Sequence, residues 1–127
     1  MSPEQRSGRG RATVLVVDDE SDQLGLVTAY LHREGCTVIA VASAEQAMAL
    51  PTDLAIDLMI LDLRLPGMSG WDLATELGRR FPGCPVAISS VLEVEHYPEA
   101  DEMLPKPISR AQISALLARR VPGWSVV

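Results

Sequence analysis

Ala12-Thr13-Val14-Leu15-Val16-Val17-Asp18-Asp19-Glu20 is a continuous β-branched and apolar run that stops abruptly at consecutive acids. A run of this kind, with no polar alternation, predicts a strand buried on both faces, as in a parallel sheet covered by helices. Beyond it, apolar residues at Leu24, Val27 and Leu31, with Ala29 on the flank, predict a helix from Ser21 to Glu34. Ser21 or Asp22 is placed to cap its first turn and Gly35 to end its last. Cys36 to Val41 reads as a second strand, and Ser43-Ala44-Glu45-Gln46 opens a short helix that Pro51 closes.

The alternation then repeats. Leu58 to Leu61 is a third strand ending at Asp62, and Arg64-Leu65-Pro66-Gly67-Met68-Ser69-Gly70 carries turn chemistry. A third helix is predicted from about Trp71 to Arg80, broken by Pro82-Gly83, and Pro85 to Ser89 supplies a fourth strand. Met103-Leu104 begins a fifth, where Pro105 suits an edge position because its missing N–H is tolerated there. Ser109 to Val121 closes the pattern as a helix. Strands alternating with helices through short connections imply a doubly wound α/β fold, with a parallel sheet and helices on both faces.

The 127 residues suffice for one domain with a hydrophobic core. With 47% hydrophobic and 22% charged residues, the composition predicts a folded chain rather than a disordered one. The expected organisation is a flexible leader over 1–11, a domain over 12–121 and a tail over 122–127. A net charge of −6 argues against nucleic-acid binding, which needs a basic face; Arg6, Arg9 and Arg11 of the leader read as a solvated tail. No apolar run approaches a membrane span or a secretion signal, so a cytoplasmic protein without membrane contact is expected. Cys36 and Cys84 stand far apart and read as reduced thiols rather than a zinc or redox pair.

In a doubly wound sheet, ligands sit beyond the carboxyl ends of the strands where the strand order reverses. Asp18, Asp19 and Asp62 each follow an apolar strand, so the fold draws three carboxylates to one end of the sheet. Like charges so close are costly unless a cation neutralises them. With oxygen ligands alone and no clustered His or Cys, the pattern fits Mg²⁺ better than zinc. A carboxylate can also be a nucleophile toward phosphorus, a reaction that needs positioning and neutralisation of the equatorial oxygens. Lys106 after the fifth strand and a hydroxyl after the fourth, Ser89 or Ser90, are suited to that task. Taken singly, these residues are helix caps, loop hydroxyls or a surface lysine; their conjunction at the right strand ends makes the site.

Val14-Leu15-Val16-Val17-Asp18-Asp19-Glu20, Leu58 through Gly70, and Lys106-Pro107 together resemble the receiver domains of two-component signalling, over about Thr13 to Val121. The resemblance implies a five-stranded, flavodoxin-like sheet of order 2-1-3-4-5. It also implies that Asp62 is the phospho-acceptor, Asp19 a direct Mg²⁺ ligand, Asp18 a ligand through water, and the Arg64 carbonyl a further ligand. Lys106 would be the family's cation, with a cis bond to Pro107, and Ser90 the family's hydroxyl, with Ser89 one position early. The chain departs from the family in a fourth helix expected to be short or irregular between Val91 and Asp101. It departs again in Met103, where the family often has an aromatic switch residue, and in the bulky Val91.

The function expected is a stand-alone signalling module, not an enzyme with turnover. A histidine kinase or histidine phosphotransfer protein would phosphorylate Asp62, and a downstream protein would read the result; a monomer or weak homodimer is expected. A receiver-like binding domain that acts without phosphorylation is one alternative. An aspartyl-nucleophile phosphohydrolase is another, disfavoured because such enzymes place a second acid where Arg64 stands. His32, His96, Trp71 and Trp124 read as helix-end, loop or packing residues.

Overall fold

The computed structural model describes residues 12–91 and 100–122. The leader, Leu92, His96, Pro98 and Trp124 lie outside them, as does most of the segment expected to form the irregular fourth helix.

Strands β1 (Thr13–Val17), β2 (Thr37–Val41) and β3 (Leu58–Asp62) alternate with helices α1 (Ser21–Arg33) and α2 (Ala44–Met48). A two-stranded ribbon, β4 (Arg64–Leu65) and β5 (Met68–Ser69), leads into α3 (Gly70–Arg80). Strands β6 (Val86–Ser90) and β7 (Glu102–Pro105) and helix α4 (Arg110–Arg120) follow. The main sheet is parallel throughout, in the order β2-β1-β3-β6-β7. Because β6 and β7 are the expected fourth and fifth strands, this is the order 2-1-3-4-5. Pro105 does lie on an edge strand.

Alternation along the strands divides the core in two. Val14, Val16, Ile60 and Ala87 pack with Val27 and Leu31 of α1 and with Ile113, Leu116 and Leu117 of α4. Leu15, Val17, Met59, Leu61 and Ile88 pack on the other face with Ala44 and Ala47 of α2 and Leu73 and Leu77 of α3. β3, wholly buried, is the spine of the sheet. Burial explains why its sequence is a plain apolar run.

One local expectation is corrected. The cap of α1 is Glu20, whose side chain accepts from the Gln23 N–H at 2.8 Å, not Ser21 or Asp22. The cause is upstream: Asp18 Oδ1 accepts the Glu20 N–H at 2.9 Å, which holds Glu20 extended and lets the helix start at Ser21. At the other end Gly35, at φ +90°, donates to the His32 carbonyl and Cys36 to that of Leu31, the paired bonds of a Schellman motif. The turn expected between Arg64 and Gly70 is present at Pro66-Gly67, and the residues on either side of it pair as a two-stranded ribbon. Gly67 takes φ +79° there.

Candidate metal centre

The strand order reverses between β1 and β3, and there the chain places Asp18 just after β1 and Asp62 at the end of β3. Asp18 and Asp62 are buried while Asp19 is exposed, and one carboxylate oxygen from each lies within 4.8 Å of the others. The acids of the sequence reading are therefore one cluster.

Lys106 crosses to it from the far edge. Its Nζ donates to Asp62 Oδ1 at 3.1 Å and lies 3.3 Å from Asp18 Oδ2. Its backbone N–H donates to the Ser90 carbonyl at 2.9 Å, fixing the start of that reach, and the Lys106-Pro107 bond is cis as expected. Burial and the Asp18 charge push the Asp62 carboxyl above its ordinary value, against the opposing pull of Lys106. Burial works against the Lys106 charge, yet Asp18 and Asp62 outweigh it and raise the ammonium above its usual value. One ammonium thus serves two buried carboxylates, with Asp19 adding a third negative charge. The donor set suits a small hard cation: oxygens only, two carboxylates already turned toward a positive charge and one open to water.

Ser90 ends β6 and is buried; Arg64 opens β4 with its side chain in solvent. Met103 on the edge strand β7 is 40% exposed and Val91, just after β6, 71% exposed, so both stand at the surface. Trp71 packs partly buried at the rim of the α2/α3 core, as expected. Two residues carry more than the sequence reading gave them. A Cβ on Gly70 would lie 2.5 Å from the Asp62 carbonyl oxygen and 2.8 Å from Leu63 Cα, so only glycine lets α3 start against the backbone at the end of β3. Ser89 is 2% exposed, and its hydroxyl has no hydrogen-bond partner among the described residues. Sequence offers it only as the alternative to Ser90; its register opposite Asp62 is visible only in the folded sheet.

A cavity of about 490 Å³ lies elsewhere, lined by Asp57, Arg80, Phe81, Cys84 and Arg120 and by none of the clustered acids. Burial pushes both thiols up to about 12, with Glu34 and Asp57 contributing at Cys36, and Asp57 and Asp101 at Cys84. Neither is an activated nucleophile.

A doubly wound sheet with an acidic cluster and a lysine at its switch point is the arrangement expected of the receiver class. The chain belongs to the response regulator receiver domain family, whose model matches residues 14–118. Among its relatives, the DNA-binding response regulator MtrA of Mycobacterium tuberculosis is 31% identical over 119 residues, which cover 87% of this chain and 51% of that protein. The chain thus spans about half the length of the curated relatives it matches. In fold it is similar to the chemotaxis response regulator CheY4 of Vibrio cholerae, with a TM-score of 0.80, 23% identity, and 87% and 99% of the two chains covered. The response regulator TrrA of Thermotoga maritima, solved in complex with Mg²⁺ and BeF, gives a TM-score of 0.77 at 23% identity over 87% of this chain and 99% of that one. No helix among the described residues is long and apolar enough to cross a membrane.

Proposed function

We propose that this chain accepts a phosphoryl group on Asp62 from a histidine kinase or histidine phosphotransfer protein and signals by phosphorylation-dependent binding to another protein. The observation that carries this reading is the contact of Lys106 with both Asp62 and Asp18 inside a cluster of three carboxylates. Asp19 and Asp62 would hold Mg²⁺ directly, Asp18 through water and Arg64 through its carbonyl. Bound there, the ion supplies neutralisation of the transferred group's oxygens.

The chain's own residues supply the rest. Lys106 already bonds Oδ1 of Asp62, which leaves Oδ2 as the attacking oxygen. The new P–Oδ2 bond forms as the donor's P–N bond breaks, and the electron pair stays on the imidazole nitrogen, which takes up a proton. Lys106 then pairs with a phosphoryl oxygen, and the Ser90 hydroxyl donates to another. Asp18, held by the Glu20 N–H, keeps its carboxylate oriented throughout. The chain itself ends this step modified and does not turn over a small substrate. Val91, exposed just after β6, and Met103, exposed on the edge strand β7, support a readout by protein binding.

Beryllofluoride with Mg²⁺ mimics an aspartyl phosphate, so its binding raises the thermal midpoint of the wild type and leaves that of Asp62→Asn unchanged. A wild type whose midpoint ignores beryllofluoride contradicts the reading. Steady hydrolysis of a small phosphomonoester would replace it with a phosphohydrolase.

A further inference from the structure

Asp62 on β3 stands opposite Ser89 on β6, and Ser89 opposite Leu104 on β7. In-register neighbours of a parallel sheet send their side chains to the same face. The core identifies that face: Ile60 and Ala87, two residues before Asp62 and Ser89, pack with Leu104 against α1 and α4. Lys106, two residues after Leu104, carries its ammonium from the end of β7 to Asp62 and Asp18, so its stem crosses the end of β6 on the way. Ser89 therefore lies in the acceptor's own row, beneath the path of the lysine.

At this position an alanine would satisfy the core. Instead there is a hydroxyl, 2% exposed and without a hydrogen-bond partner among the described residues. Native structures rarely bury a polar group unpaired, and a catalytic role is among the explanations for one that stands beside a functional cluster. We propose that Ser89 is a positioning residue of the phosphotransfer step, its hydroxyl donating to the Asp62 oxygen that Lys106 releases when the ammonium turns to the arriving phosphoryl group. The inference rests on the function proposed above and adds a residue to it.

No proton changes hands. With acetyl phosphate as donor, the P–Oδ2 bond forms, the P–O bond to acetate breaks, and acetate leaves with the electron pair. Lys106 and Ser89 each keep their protons and exchange acceptors. A hydrogen bond missing in the resting protein and made during transfer lowers the barrier without stabilising the ground state. The two properties should then separate on mutation. Ser89→Ala removes the unpaired hydroxyl, so its thermal midpoint equals or exceeds the wild type's. Its phosphorylation at saturating acetyl phosphate and Mg²⁺ slows about tenfold with KM unchanged, the effect of one lost hydrogen bond, and Ser89→Thr restores most of the rate.

The experiment follows intact mass over time for wild type, Ser89→Ala and Ser89→Thr, alongside thermal midpoints. Slow, fully stable Ser89→Ala with rescue by threonine supports the assignment. Wild-type kinetics in Ser89→Ala overturn it and leave the phospho-acceptor role of Asp62 intact. A slow Ser89→Ala with a lowered midpoint and no rescue by threonine also overturns it, by making Ser89 structural. If the wild type gains no phosphoryl group, the parent function fails and the role of Ser89 fails with it.

Discussion

Asp62 is held in the folded chain at a cost. It is buried beside Asp18, and the single ammonium of Lys106 is divided between them at 3.1 and 3.3 Å. Burial and Asp18 raise its carboxyl pKa despite the lysine, so the folded protein disfavours its charge at neutral pH. A raised carboxyl pKa means that this group favours folding less as pH rises through the folded value. The neutral isostere in Asp62→Asn removes that penalty. In metal-free buffer at pH 7 the variant is expected to be more stable than wild type by on the order of 1 kcal/mol, read by urea or thermal unfolding. A variant less stable than wild type would show that Lys106 more than repays the burial. The same crowding makes Gly70 indispensable to the packing, since any side chain there meets the Asp62 backbone. The acids and the lysine were legible in sequence because each follows an apolar run. The role of Gly70 was not, because it is a distance to another strand, and sequence offered Ser89 only as the lesser alternative to Ser90.

Elements were legible to the extent that their ends carry local signals. Ser43, Ser69 and Ser109 cap α2, α3 and α4, and Ser109 with Gln112 forms a complete capping box. At α1 the acid Glu20 displaced the expected Ser21 or Asp22, because a hydrogen bond from its own backbone to Asp18 set its conformation. The turn at Pro66-Gly67 was legible from its residues, but the pairing of β4 with β5 around it was not, because two-residue strands leave no periodicity to detect. The edge of the sheet has its own electrostatic tie. Glu102 on β7 meets Arg119 at 3.0 Å and Arg120 at 2.6 Å, joining the edge strand to the last turn of α4. Hydrogen bonding from Arg119 lowers the Glu102 pKa, with burial opposing and Arg120 adding to the effect. A lowered carboxyl pKa gives stability that is present above the ordinary value of 4.5 and is lost as pH falls through the folded value. Glu102→Gln should therefore lose about 1 kcal/mol at pH 7, with the gap to wild type closing in acid. A gap independent of pH would assign the loss to packing instead.

At the scale of the whole molecule, the alternation of apolar strands and helices was enough to define a doubly wound sheet. The division of the core into an α1/α4 face and an α2/α3 face follows from strand alternation once the order is known. That order also explains the site: β1 and β3 are neighbours although a helix, a strand and another helix separate them in sequence, and their ends bring Asp18 and Asp62 together. Lys106 reaches the same point because β7 is only two strands from β3. The central claim is that this architecture makes Asp62 a phospho-acceptor. Its most direct test is intact-mass analysis of wild type and Asp62→Asn after incubation with acetyl phosphate and Mg²⁺. The account predicts that wild type gains one phosphoryl group, that chelating the metal prevents the gain, and that Asp62→Asn gains none; equal modification of both proteins would place the acceptor elsewhere and contradict it.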